Sequence, residues 1–249
     1  MLLAIDIGNT NISAAIFSAT KKIVKRFDIP SNAYSRARFK RKLESHFKVS
    51  DTIICSVVPK LTKILQRDLK ILIGKRPYII GKEIKVPMGS LYQQTQLGQD
   101  RLLNAYSACA FYPLPLIIID SGTAITFDVV SESKVYLGGL IIPGMGLSLK
   151  CLKENTALLP LIKLRSPHRL IARDTKNSIL SGVVYGVAAL CKGLTMRISK
   201  DIGKNVFVLG TGGNISLIQK YAGVKIKIDR DLILKGINLL YVNEIKKSE

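Results

Sequence analysis

Short apolar runs alternate with turn residues from the start of the chain. Leu2 to Asp6 is one such run and Ile12 to Phe17 another. Between them Gly8, Asn9, Thr10 and Asn11 supply the turn chemistry that closes two strands into a hairpin. Thr52 to Val58 reads as a buried strand stopped by Pro59, Leu61 to Leu72 repeats apolar residues at helical spacing, and Pro77 to Ile80 is apolar again. Leu102 to Ile119 carries no charge and is nominally long enough to cross a bilayer. Asn104, Ser107, Pro113 and Pro115 instead divide it into a short helix, a proline break and a buried strand. Gly138 to Gly144 is a glycine-rich loop around a strand, and Ile179 to Ile198 is a long, mostly apolar helix. Val206 to Leu209 is a strand ending in Gly210-Thr-Gly-Gly213, and Asp231 to Ile245 is a closing helix. Strands alternating with helices in this way predict an α/β protein.

The second half repeats the first. Leu3-Ala-Ile-Asp-Ile-Gly-Asn-Thr and Ile117-Ile-Ile-Asp-Ser-Gly-Thr-Ala place Asp6 on Asp120 and Gly8 on Gly122. An Asp-x-Gly after a strand is a common turn, so one copy says little. Two copies in matched surroundings predict an internal duplication: two similar α/β lobes facing each other across a ligand cleft, residues 1–113 and 114–249. No Gly/Ser-rich linker separates them.

Both repeated turns have chemistry suited to a phosphate and its metal. Such a ligand needs backbone N–H groups at close approach, short side-chain donors, and a carboxylate for the accompanying magnesium. In the first turn Gly8 admits the backbone, Asn9, Thr10, Asn11 and Ser13 are donors, and Asp6 ends the strand; in the second, Asp120, Gly122 and Thr123 repeat the set. Neither turn is a Walker A sequence, and no GxGxxG occurs. Gly210-Thr-Gly-Gly213 is equally readable as a flat surface against a nucleobase or as a plain strand-to-helix turn. Tyr92 and Gly98-Gln-Asp-Arg101 precede the helix beginning at Leu102. Asp100 and Arg101 fit a helix-start acid and a surface base, or an acceptor for a hydroxyl proton beside a carboxylate clamp.

Composition narrows the field. The 249 residues include four cysteines, Cys55, Cys109, Cys151 and Cys191, too widely spaced for a CxxC or CxxH site, so reduced thiols are expected. His46 and His168 stand alone, which leaves a Ser-His-Asp triad or a histidine metal site little basis. Met1 leads straight into LLAIDIGNT, without the basic and apolar regions of a secretory signal, so a soluble cytoplasmic protein is expected. The formal charge of +21 is shared by both halves. It is densest at Lys21, Lys22, Lys25, Arg26, Arg36, Arg38, Lys40, Arg41 and Lys42, against Asp28 alone. Interleaved Phe27, Tyr34 and Phe39 complete the composition of a nucleic-acid patch, although a solvated strand edge and helix face is the favoured reading. Gly182-x-x-x-Gly186 fits close packing at a dimer interface or within one lobe.

Five ordered motifs together resemble the type III pantothenate kinases: Asp6-x-Gly-Asn-Thr, Gly98-x-Asp-Arg, Asp120-x-Gly-Thr-Ala-x-Thr-x-Asp128, Gly138-Gly-x-Ile-x-Pro-Gly144 and the Thr-Gly-Gly before Asn214. The resemblance implies two actin-like (ribonuclease H-like) lobes and a homodimer that phosphorylates pantothenate from ATP, the first step of coenzyme A synthesis. It puts the ATP phosphates on Asp6, Ile7, Gly8, Asn9, Thr10, Asn11, Ile12, Ser13 and Thr123, with Asp6 on the magnesium side. It makes Asp100 the proton acceptor, and Tyr92, Gly98, Gln99, Asp100, Arg101 and Thr175 pantothenate contacts. Asp120 would hold a monovalent cation, K+ or NH4+. The chain departs from the family at Thr95, where proline is usual, at Gln99, where a small or apolar residue is commoner, and at Asp174, where asparagine is frequent. An extra acid there acts against an anionic substrate. Asp6, Asp100 and Asp120 argue against the main alternative, a nucleic-acid-binding or transcriptional accessory protein on the same scaffold, which needs no carboxylates in an anion site. A sugar or acetate kinase would have no evident use for Gly-x-Asp-Arg.

Overall fold

Buried apolar residues on both faces of Leu2–Ile7 (β1) make it a central strand, and the turn at Gly8 returns the chain antiparallel as Asn11–Phe17 (β2). The computed structural model describes residues 1–43, 47–93 and 95–246, so His46 lies outside the described residues. Ile23–Pro30 (β3) continues the meander and leads to Arg36–Leu43 (α1), whose Phe39 and Leu43 turn inward while its cations face out. Asp51–Ser56 (β4) pairs parallel to β1, Pro59–Ile73 (α2) starts on proline and ends on left-handed Gly74, and Tyr78–Ile79 (β5) closes the sheet in the order β3-β2-β1-β4-β5. Gln99–Phe111 (α3) follows.

The second sheet has the same topology. Leu116–Ser121 (β6), Ala124–Val130 (β7) and Tyr136–Pro143 (β8) form the meander, Phe207–Thr211 (β9) and Lys227–Ile228 (β10) are the parallel strands, and the order is β10-β9-β6-β7-β8. The irregularity recurs too, between Ile16 and Phe17 in one meander and between Val129 and Val130 in the other. Met145–Glu154 (α4) and Thr175–Ile202 (α5) link β8 to β9, and Ile215–Ala222 (α6) links β9 to β10. Leu232–Glu244 (α7) ends the chain. Repetition of strand order, strand sense and bulge position is the structural form of the duplication read from the sequence.

Two details differ from the sequence reading. The compact units are Met1–Ala110 with Asp231–Glu249, and Phe111–Arg230, so the boundary precedes residue 113 and the C-terminal helix joins the first unit. The cause is the apolar face of α7: Leu234, Ile237 and Leu240 join Leu2, Ala4, Ala15, Phe17 and Leu103 in one core, and Gly236 lets α7 approach Ser107 and Leu103 of α3. Gly138 and Gly139 lie within β8 rather than in a loop around it. The uncharged run from Leu102 divides as expected into α3, the prolines and β6. Among the described residues α5 alone is long and apolar enough to cross a membrane, and its Leu180, Val184, Ala188 and Cys191 belong to the core of the second unit.

Candidate functional site

The first hairpin tip is built to be rigid with its polar groups outward. Gly8 N–H donates to the Asn11 carbonyl at 2.9 Å, Ser31 Oγ donates to the Gly8 carbonyl at 2.7 Å, and Ser31 N–H donates to the Thr10 carbonyl at 2.8 Å. Asn9, Thr10 and Asn11 are exposed, whereas Ile7 and Ile12 are fully buried core residues, which leaves these two only their backbone for a ligand. Ser13 does not match its expected part as a free donor: its hydroxyl donates to Asp28 Oδ1 at 2.6 Å.

Register gathers further groups on one face of the first sheet. Asp6 is opposite Cys55 on β4 and opposite Ser13 on β2, and Ser13 is opposite Asp28 on β3. The Cys55 thiol is raised well above its ordinary pKa, first by complete burial and then by the charges of Asp6 and Asp100, so it stays protonated. Strand register puts the thiol beside Asp6.

Asp100 sits in the first turn of α3 beside Gly98, where an added Cβ would lie 2.5 Å from Asp100 Oδ1. Burial raises the Asp100 pKa, opposed by the backbone N–H groups of Arg101 and Asp100 and by the Arg101 charge. Arg101 is buried, with its guanidinium 5.8 Å from the centre of the Tyr92 ring. Gln99 packs over Gly81, whose φ of +86° and missing Cβ make room for it. Of these residues the structure brings the Tyr92 ring to Arg101 and the Asp100 carboxylate to Gly98, while Gln99 is turned to Gly81.

In the second unit Gly122 N–H donates to the Ala124 carbonyl at 2.9 Å, closing a turn one residue shorter than that at Gly8, and Thr123 is exposed. Glycines press on this turn from two sides. A Cβ at Gly144 would stand 2.4 Å from the Thr123 carbonyl oxygen and 2.5 Å from that of Gly122; one at Gly212 would stand 2.5 Å from Asp120 Oδ1. The Thr-Gly-Gly segment is therefore a strand-to-helix turn fitted against Asp120. Buried Asp128 accepts from Tyr136 Oη at 2.6 Å and Thr126 Oγ1 at 3.0 Å, a pin between β7 and β8. Thr175 is exposed as the first residue of α5, and its neighbour Asp174 caps that helix, accepting Asn177 N–H at 3.0 Å and Asn177 Nδ2 at 2.7 Å. Those bonds hold the Asp174 carboxyl below its ordinary pKa.

Sequence reasoning did not single out Cys55, Gly81, Asp28 or the contacts of Gly144 and Gly212. The first two are visible only once strand register or the fold of a turn is known. Asp28 was hidden in a basic run.

Residues 2–197 match the family model of the type III pantothenate kinase. A type III pantothenate kinase of Finegoldia magna is 36% identical over 262 residues, covering 100% of this chain and 99% of that protein. One from Myxococcus xanthus is 33% identical over 250 residues, covering 97% and 98%. Among solved structures, a conserved candidate Baf family transcriptional activator from Campylobacter jejuni aligns with a TM-score of 0.63 at 22% identity, covering 98% of this chain and 99% of that one. The ADPNP-bound activator of 2-hydroxyisocaproyl-CoA dehydratase from Clostridium difficile aligns at 0.53 and 12% identity, covering 99% and 96%. At such identities these two show the fold, an actin-like ATPase and sugar kinase architecture. The full-length matches to kinases do not favour the nucleic-acid alternative. On the family match and the near-complete coverage of its relatives, the chain belongs to the type III pantothenate kinases, enzymes that phosphorylate pantothenate with ATP in coenzyme A biosynthesis.

Proposed function

We propose that the residues described above divide the work of pantothenate phosphorylation as follows. Asp6, Gly8, Asn9, Thr10, Asn11 and Thr123, with the backbone of Ile7 and Ile12, hold the ATP phosphates, and Ser13 lies beside Asp6 on the magnesium side. Asp100 takes the proton of the 4′-hydroxyl, and Tyr92, Gly98, Gln99, Arg101 and Thr175 hold pantothenate. The observation that carries this reading is the exposed polar tip that follows Asp6, together with Arg101, the neighbour of Asp100, whose guanidinium lies 5.8 Å from the centre of the Tyr92 ring. A carboxylate at a strand end beside exposed amide and hydroxyl groups suits hydrated magnesium, so Asp6 is its holder; when bound, magnesium offsets the phosphate charge. Phosphoryl transfer proceeds through a loose transition state, so the protein's main contribution is to orient the attacking hydroxyl. Arg101, a planar fork, clamps the pantothenate carboxylate, and Asp100 aims the hydroxyl and accepts its proton.

Asp120 is the proposed holder of the monovalent cation. The carboxylate of Asp120, whose Oδ1 is packed against Gly212, is a hard oxygen donor of the kind such a cation takes. Replacing potassium by sodium in a coupled ADP-release assay is expected to lower turnover, and equal rates in both would contradict this assignment. We also propose a cytoplasmic homodimer. Its support is a surface on the second unit where exposed Leu170 and Ile171 line a concavity with Gly182 and Gly186 of α5.

A further inference from the structure

A serine hydroxyl has one proton, and where that proton goes decides what else the oxygen can bind. Ser13 Oγ donates to Asp28 Oδ1 at 2.6 Å. Asp28 Oδ2 takes Arg26 Nη1 at 2.7 Å, and Arg26 Nε reaches Asp231 Oδ1 at 2.6 Å. An ionised carboxylate accepts only, so the direction of the first bond is fixed. The three groups belong to the face that carries Asp6: Asp6 is opposite Ser13, Ser13 opposite Asp28, and Arg26 opposite Ala15, two residues along β2 from Ser13. Side chains directly opposite in antiparallel strands are neighbours, with Cβ atoms roughly 5 Å apart.

We infer that Asp28, held by Arg26, is a positioning residue that turns Ser13 into an acceptor beside Asp6, so that Ser13 serves the hydrated magnesium of MgATP and not a phosphate oxygen. A phosphate oxygen is itself an acceptor, and the Ser13 oxygen, with its proton committed, has only lone pairs to offer it. A water of a metal hydration shell is a donor and fits both Asp6 and Ser13. The inference rests on Asp6 being the magnesium-side residue. It also accounts for the one acid in the basic stretch, which ion pairing with Arg26 alone would leave without reason to sit opposite Ser13.

The test is equilibrium binding of ATP to the unliganded enzyme, by titration calorimetry with and without magnesium, for Asp28→Ala, Ser13→Ala, their double variant and Asp28→Asn. Asp28 is exposed on an edge strand, so its truncation is compatible with folding, and thermal unfolding is followed for each variant. Loss of a partner that orients a metal's neighbours costs about tenfold or more in affinity. Both single variants are expected to weaken binding of MgATP about tenfold and leave metal-free ATP binding unchanged, with the double variant no weaker than either. Asp28→Asn keeps an acceptor oxygen and is expected to retain most of the affinity. Weakening by Ser13→Ala but not by Asp28→Ala, additive effects, or equal losses with and without magnesium would overturn the role of Asp28. No effect of Ser13→Ala would instead remove Ser13 from the nucleotide site and with it the underlying reading.

Discussion

Asp100→Asn is expected to lower kcat by about 10²–10⁴-fold, the range for losing a positioned proton acceptor, with ATP affinity nearly unchanged. The variant removes a charge that burial disfavours, so its unfolding temperature should equal or exceed that of the native protein. The sign follows from the direction of the shift: burial raises the folded-state pKa of Asp100. The protonated form is therefore favoured in the folded protein; this contribution to stability is present at low pH and is lost as pH rises through the folded pKa. At neutral pH the ionised carboxylate costs stability, which asparagine avoids. The same shift moves the acidic limb of kcat/KM for pantothenate upward from the ordinary aspartate value, because Asp100 must be ionised to accept a proton. Steady-state kinetics, nucleotide titration and thermal unfolding of one pair of proteins check all three statements. Native turnover in the variant would refute the role.

Gly212→Ala should be the most damaging small substitution in the second unit. Gly212 has a φ of +86°, and the added Cβ would lie 2.5 Å from Asp120 Oδ1 and 2.7 Å from the backbone N and C of Ser121. Left-handed strain and overpacking together cost about 2–5 kcal/mol, and the backbone of a central strand cannot yield. The expected result is a lowered unfolding temperature together with loss of activity through displacement of Asp120. Gly213→Ala is the matched control, since nothing lies within 4 Å of the Cβ it would add. If Gly212→Ala melted like the native protein, the tight fit of the Thr-Gly-Gly turn against Asp120 would be wrong.

The parts of this molecule that were readable in advance depend on local signals. Asp-x-Gly after an apolar run, with Asn and Thr beyond it, fixes a hairpin tip through nearest-neighbour chemistry, and its recurrence at Asp120 exposed the duplication. The motif around Asp100 was readable because Gly98 and Arg101 act within a few residues of it. What depends on register or long-range packing was not. Cys55 meets Asp6 only because β4 pairs with β1, and α7 joins the first unit because its apolar stripe matches the face of β1 and β2. The short helix α4 has no sequence signal of its own, because it follows a glycine-containing strand end that reads as turn sequence, whereas α6 follows the Thr-Gly-Gly segment readable as a strand-to-helix turn. Ser13 reads as a donor because its type permits donation, but the partner that takes its proton lies on another strand.

Pantothenate-dependent release of ADP from ATP by the purified protein, measured beside Asp100→Asn, tests the account most directly. The account predicts ADP formation matched to 4′-phosphopantothenate in the native protein, negligible release without pantothenate, and a rate lowered about 10²-fold or more in the variant. ADP release that ignores pantothenate, or that proceeds equally without the Asp100 carboxylate, would contradict it.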